Sequence, residues 1–346
     1  MRMITYCDAI NEALIQEMER DPSVFIYGIG VPDHKKIFGT TKGILEKFGP
    51  ARCFDTPIAE DSMTGLALGA AINGLRPIHV HIRVDFLLLA MNQIANLISS
   101  FSYGCGGAAG APLVIRAIVG RGWGQGFQHS KSMHGTFAKI PGLKVICPTT
   151  PEDAKGLMIT AIRDNDPVLV FEHRWLYWQT GEVAKDSFTI PLGRGRVVKE
   201  GKDLTIVATS WMNVEALHAA RILERHGVDV EIIDPRSIVP LDEEIIVNSV
   251  NKTGRCLVAD NDWTYCGFSA EVAALVSSRC FGRLHAPVER LGFAQTPCPT
   301  VRRLENVFYP NAEKIVRRVE KMTGLAPIDL SGEVFYSHEN RFKGPF

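Results

Sequence analysis

Glu60 is the residue whose placement asks most clearly for a chemical role. It follows Asp55-Thr56-Pro57-Ile58-Ala59 and opens the small-residue run leading through MTGLALGAAINGLRP. The pattern predicts a strand ending at Phe54, a proline turn, and a helix starting at Glu60. A carboxylate held at a strand-to-helix turn on a sheet edge is placed for proton transfer. A glutamate in a first helical turn also simply complements the positive end of the helix dipole. His129, in Gln128-His129-Ser130, is the second candidate, because imidazole exchanges protons near neutral pH. No G-x-S-x-G elbow accompanies it, so the His-Ser adjacency is not a hydrolase pair.

Other motifs exclude more than they establish. Gly28-Ile29-Gly30 has Asp33 where a dinucleotide fingerprint needs its third glycine, and no GxxxxGK[ST] loop occurs. The stretch RGWGQG, with Gly122, Gly124 and Gly126, reads as an active-site loop at least as well as a phosphate cradle. Eight cysteines stand at 7, 53, 105, 147, 256, 266, 280 and 298, without a CxxC or zinc spacing. They read as small hydrophobes.

The elements that must position these residues alternate along the chain. An amphipathic helix is expected from Ile4 to Glu19, then apolar runs at Val24–Tyr27, Pro77–Val80, Leu113–Ile118 and Val168–Phe171. Continuous apolar strands separated by helices imply a parallel sheet buried on both faces. Thr150, Pro151, Glu152 and Asp153 make a capped helix start, followed by an apolar stripe at helical spacing. The pattern breaks between Glu172 and Asp203, read as a domain junction. A second β/α series begins at Leu204 and closes with a helix over 312–322.

Composition bounds the function classes. Lys+Arg and Asp+Glu both total 38, so there is no basic surplus for tracking nucleic-acid phosphates. No apolar run reaches the roughly 18 residues of a membrane span. The acidic, amphipathic N-terminus is neither a secretory signal nor a transit peptide, which leads to the expectation of a cytoplasmic protein.

The series DTPIAE, GLALGAAINGLRP, DFLLLAMNQIANLISSFSY, PLVIRA, QHS, PGLKVICPTTPEDAKGL and AIRDNDPV, in this order, resembles one known family. This is the beta subunit of the thiamine-diphosphate-dependent 2-oxo acid dehydrogenases (pyruvate, branched-chain and acetoin types), within the transketolase superfamily. VKEGKDLTIVATS and DPRSIVPLD carry the likeness onward, so that it spans about residues 4 to 323. The resemblance implies an α/β fold: a parallel-sheet pyrimidine-binding domain of transketolase type over 1–180 and a linker over 181–202. A smaller α/β transketolase C-terminal domain over 203–323 and a tail over 324–346 complete the expected organisation. Glu60 matches the carboxyl group that meets the aminopyrimidine ring nitrogen of thiamine diphosphate, and Phe86 matches an aromatic packed on that ring. His129 matches a histidine facing the thiazolium and the substrate. A structural potassium ion would fall to Leu113, Ala161, Ile162, Asp164 and Asp166; Asp164 and Asp166 equally read as an ordinary polar turn before Pro167.

The implied activity is decarboxylation of a 2-oxo acid and transfer of the acyl group to a lipoyl acyltransferase. The superfamily's GDG motif for Mg²⁺ and the diphosphate is missing here. An alpha subunit is therefore expected to hold the Mg²⁺, in an α₂β₂ assembly. The chain also departs from the family pattern. Ile29 stands where an acidic residue is usual, and His79, His81 and Arg83 stand where apolar or acidic residues are usual. GCGGAAG and QTPCP differ as well. These departures keep two alternatives open: a split transketolase-like ligase acting on a sugar or polar acyl group, and a non-catalytic beta-type subunit.

Overall fold

The protein is described by a computed structural model covering residues 1–121 and 125–335. Two compact units are present, one built from residues 1–121 and 128–192, the other from 125–127 and 193–335.

In the first unit β1 (Arg2–Thr5) pairs antiparallel with β8 (Thr180–Val183). The first helix, α1 (Tyr6–Arg20), therefore starts later than the periodicity predicts. Thr5 stops the strand and caps the helix, its side chain accepting from the Asp8 amide. Tyr6, Ile10, Leu14 and Met18 are the buried stripe of α1. It packs on α6 (Pro151–Arg163), which begins with a full capping box between Thr150 and Asp153. Buried Glu17 joins the two helices, accepting from Arg163 Nη2 at 2.6 Å and from Arg20 Nε at 2.8 Å.

The remaining strands of this unit are β2 (Val24–Gly28), β3 (Cys53–Phe54), β4 (Arg76–His81), β5 (Val114–Val119), β6 (Lys144–Ile146) and β7 (Val168–His173). They are parallel and lie in the order β6-β7-β5-β4-β2-β3. Helices α2 (Ile44–Phe48), α3 (Glu60–Ile72), α4 (Phe101–Gly104) and α5 (His134–Ala138) fall between them. Strand β3 lies outside β2 while β4 returns on its other side. The carboxyl ends of β2 and β4 thus form a topological switch point, the usual ligand crevice of such sheets. A buried ion pair links β5 to β7: Arg116 donates to Glu172 through Nε at 2.6 Å and Nη2 at 2.9 Å. Tyr177 Oη donates to the same carboxylate at 2.8 Å, and Arg116 Nη2 also donates to Thr40 Oγ1 at 3.0 Å.

The second unit has strands β9 (Arg196–Lys199), β10 (Leu204–Ala208), β11 (Val230–Asp234), β12 (Ser237–Val239), β13 (Cys256–Trp263) and β14 (Glu289–Phe293). Five of them form a sheet in the order β14-β13-β10-β11-β9, antiparallel only at β9. Helices α7 (Met212–Glu224), α8 (Glu243–Thr253), α9 (Phe268–Arg279), α10 (Arg302–Phe308) and α11 (Ala312–Thr323) complete it. The stretch 181–202, read from sequence as a connector, contains most of β8 and all of β9. Within the stretch read as a tail, Ile328 and Leu330 are buried in the core beside Val316 and Val319; residues 336–346 lie outside the described ones. No helix among the described residues is long and apolar enough to cross a membrane.

Removing one partner of the buried ion pair leaves an uncompensated charge, a loss of about 3–5 kcal/mol. Glu172→Ala should therefore lower the urea unfolding midpoint strongly, while Arg116→Met combined with Glu172→Met should recover most of the loss. Equal midpoints for the single and double variants would refute the pairing.

Candidate active site

Three strands in register build the floor of the site. Phe54, Tyr27 and His79 are paired neighbours on β3, β2 and β4. Their rings stack, with centroids 5.4 Å apart for Phe54–Tyr27 and 4.5 Å for Tyr27–His79. His81, two residues along β4, meets the His79 ring edge-on at 4.4 Å. Helix α3 lies over this row. Tyr27 Oη donates to the Met63 carbonyl at 2.6 Å, and Thr64 Oγ1 sits 3.2 Å from His81 Nε2. These two contacts fix the first turn of α3, and with it Glu60.

The loops above are tied together by Asp55. Its Oδ1 accepts from the Gly30 amide at 2.9 Å and from the Thr56 amide at 2.8 Å, joining the ends of β2 and β3. Gly28 is required where β2 ends: its φ is +147°, and a Cβ there would collide with the Val80 carbonyl oxygen.

The result is a small cleft lined by Glu60, Thr56, Phe86, Ile29, Met63, His79 and His81, among others. Ile29, Pro57, Met63, Val80, Ile82 and Phe86 make it mostly apolar, with Glu60 its only carboxylate. Phe86 also meets the His129 ring edge-on, with centroids 5.4 Å apart. Glu60, Phe86 and His129 are thus brought to one place, from the ends of β3, β4 and β5. A slot with apolar walls and one acid suits a flat heteroaromatic ring carrying a basic nitrogen.

Burial dominates the electrostatics of the floor. It holds His79 down to about 4, against a weak upward pull from the Tyr27 backbone, and His81 well below its ordinary value, with His79 adding to the effect. Both imidazoles are neutral at pH 7. Burial likewise pushes the Cys7 and Cys256 thiols up to about 12, which leaves them inert. His134 is buried against Phe171 and hydrogen-bonds Ser132 Oγ at 3.1 Å, a core residue away from the cleft. Gly122 and Gly124 lie outside the described residues.

The residues matched to a potassium site do not come to this cleft, and their oxygens have protein donors. The Leu113 carbonyl accepts from Val168 N and the Ala161 carbonyl from Asp164 N. Arg76 Nη1 donates to the carbonyls of Ile162 (3.0 Å) and Asp164 (2.8 Å). Lys144 Nζ lies 2.8 Å from the Asp164 carboxylate and 3.0 Å from that of Asp166. The carboxylates of this turn are therefore paired with the chain's own cations. Among the described residues no group of three or more His, Cys, Asp or Glu could hold a metal.

Sequence reasoning missed Tyr27, Thr64 and Asp55, whose roles depend on strand register and loop pairing. It singled out Arg83 but missed the buried arginines that accompany it, Arg121 and Arg174. Arg83 and Arg174 both lie on the Phe38 ring, at 5.5 and 4.6 Å, and Arg121 lies 3.7 Å over Trp175. Their positions just beyond β4, β7 and β5 were the available signal.

Residues 2–179 match the family described as "Transketolase, pyrimidine binding domain", and 193–315 match "Transketolase, C-terminal domain". The acetoin:2,6-dichlorophenolindophenol oxidoreductase subunit beta of Cupriavidus necator is 42% identical over 90% of this chain and 95% of its own length. The pyruvate dehydrogenase E1 component subunit beta of Rickettsia bellii is 40% identical over 92% of this chain and 98% of its own. The 2-oxoisovalerate dehydrogenase subunit beta of Bacillus subtilis is 39% identical over 91% and 97%. Among solved structures, a split-gene transketolase described as an inactive beta4 tetramer superposes with a TM-score of 0.75 at 25% identity, covering 94% of this chain and 99% of that one.

The buried imidazoles make a pH prediction. An unfolded histidine takes up a proton near 6.5, whereas folded His79 does so only near 4. Between these values the unfolded chain binds more protons, so stability is full above about pH 6.5 and falls as the pH drops toward 4. His79 alone accounts for roughly 3 kcal/mol over that window. The unfolding midpoint of His79→Phe should fall less between pH 7.5 and 4.5 than that of the wild type; parallel curves would contradict the burial argument.

Proposed function

Since the chain belongs to the beta subunits of the thiamine-diphosphate-dependent 2-oxo acid dehydrogenases, a transketolase-type family whose beta subunit works with an alpha subunit, we propose that the cleft at Glu60 is its half of the catalytic site. The observation that carries the reading is the meeting of Glu60, Phe86 and His129 at the switch point of the sheet. When bound, thiamine diphosphate supplies a thiazolium carbon that adds to the 2-oxo carbonyl and takes up the electrons released on loss of carbon dioxide.

The chain's residues then have separable roles. Glu60 holds a proton against the aminopyrimidine ring nitrogen, favouring the tautomer whose exocyclic nitrogen can accept a proton. Phe86 and Ile29 exclude water from the ring faces, which strengthens the Glu60 contact. His129, edge-on to Phe86, faces the reacting end and steers the acyl group toward its acceptor, proposed to be a lipoyl arm. Mg²⁺ and the diphosphate are assigned to the alpha subunit, because this chain lacks a GDG motif, and the assembly is proposed to be α₂β₂. No role is assigned to potassium, given the donors already present on Asp164 and Asp166.

Two variants of the co-purified complex test this. Glu60→Gln should slow proton exchange at the thiazolium carbon by a factor of about 10² or more, with assembly unchanged on size-exclusion chromatography. Wild-type exchange would remove Glu60 from the role. His129→Ala should depress lipoyl acylation more than turnover with an artificial oxidant, tested on pyruvate and 2-oxoisovalerate; equal losses would place His129 before acyl transfer.

A further inference from the structure

His79 carries an obligation that the proposed chemistry leaves unused. Its side chain is only 3% exposed, and neither ring nitrogen makes a hydrogen bond of normal geometry; the Tyr27 backbone is the one polar group that draws on the ring. A neutral imidazole has one N–H donor and one lone pair. Leaving such groups buried without partners is costly, because their lost hydration is not replaced. Yet His79 is not loose: Tyr27 stacks flat on it at 4.5 Å with a 15° tilt, and His81 closes its edge. His81 is itself oriented by Thr64. The ring is held rigidly where it lines the cleft that Glu60 lines.

The surroundings narrow the choice of partner. The titratable groups facing His79 are His81 on its own strand, Tyr27 from β2 and Glu60 from α3; β5 presents Ile115 at the paired position. Tyr27 spends its hydroxyl hydrogen on Met63, and His81 is engaged with Thr64. Glu60 remains, with a carboxyl group that makes no hydrogen bond among the described residues. In the same lining Ile29 offers it nothing polar, and Thr56 is the remaining polar residue.

Resting on the reading of Glu60 above, we propose that His79 is a positioning residue for Glu60: the two groups, not bonded to each other in this structure, pair across the cleft in the assembled site, directly or through a bridging water, and so hold the carboxyl and its proton in line with the ring of the cofactor. Burial suits His79 to this, since an imidazole that stays neutral can either donate to a carboxylate or accept from a carboxylic acid. His81 and Thr64 hold the relay from behind. The device takes no part in bond making, and its loss leaves Glu60 in place but free to rotate.

The first test needs no cofactor. Imidazole ¹⁵N spectra of the cofactor-free complex, with His79 identified by loss of its signals in His79→Phe, should change at His79 when Glu60 becomes Gln. Unchanged His79 signals overturn the proposal, whatever the activities are. If the phenylalanine variant does not fold, His79→Gln serves for the assignment. The second test is kinetic. His79→Phe should lower thiazolium proton exchange about tenfold and move the acid limb of its pH profile, with thiamine diphosphate affinity within twofold of wild type. His79→Gln, which keeps a donor and an acceptor, should recover part of the rate. A loss confined to affinity, or no recovery in the glutamine variant, overturns it as well. Wild-type exchange in Glu60→Gln is a different failure: it sinks the role of Glu60, whereas the ring spectra bear only on the contact between Glu60 and His79.

Discussion

One hydrogen bond sets the geometry on which the site depends. The Tyr27 hydroxyl reaches the Met63 carbonyl at 2.6 Å, so a residue near the carboxyl end of β2 is bonded to the first turn of α3. That turn begins with Glu60. Tyr27 is wholly buried, and its ring is clamped between Phe54 and His79, so the hydroxyl has little freedom. The carboxyl that projects from α3 is thereby referenced to the sheet and not to the loop before it. Loop 55–59 could otherwise carry Glu60 elsewhere, since Ile58 within it is 82% exposed. Asp55 limits that freedom from the other side by bonding the Gly30 and Thr56 amides.

A second constraint acts beneath the His129 side. Arg116 and Glu172 are fully buried between β5 and β7, with Tyr177 and Thr40 completing their hydrogen bonds. Such a pair is weak evidence for stability, because desolvation offsets most of the attraction. Its value lies in register. A one-residue slip of β7 against β5 would separate the charges and leave both without compensation. The carboxyl ends of these strands carry Arg121 and Arg174 and lead toward His129. Fixing the register fixes which side chains reach the edge.

Much of this was legible in the sequence, and the limits were physical. The strand at Val24, the capped helix at Thr150 and the turn into Glu60 all declared themselves by local patterns, because capping and proline geometry are local. Strand β1 did not. Arg2–Thr5 alternate weakly, and only pairing with Thr180–Val183, far along the chain, makes them a strand. The buried Ile328 and Leu330 escaped for the same reason: two isolated apolar residues in a polar stretch have no period. Glu60 and His129 could be singled out, but their meeting through Phe86 is tertiary. Tyr27 carried no chemical signal, since a buried tyrosine in an apolar strand is ordinary core.

His79 and His81 show how a departure from a pattern acquires meaning only with a register. In the sequence they are two polar residues at alternate positions of an apolar strand, which places both on one face. That face could have pointed to solvent, where two histidines need no explanation. Pairing of His79 with Tyr27 turns it under α3 instead, and burial then decides their charge. A cationic pair could not persist in that apolar floor. Two neutral imidazoles can, provided each finds hydrogen-bonding company. For His81 the company is Thr64, one helical turn beyond Glu60 on the same helix. The same side of α3 therefore delivers a hydroxyl to one histidine and an acid to the cleft that the other lines. Ile29, also in the lining, gives the carboxyl nothing to bond. Apart from Thr56, the polar side chains that line the cleft with Glu60 are the two histidines of β4.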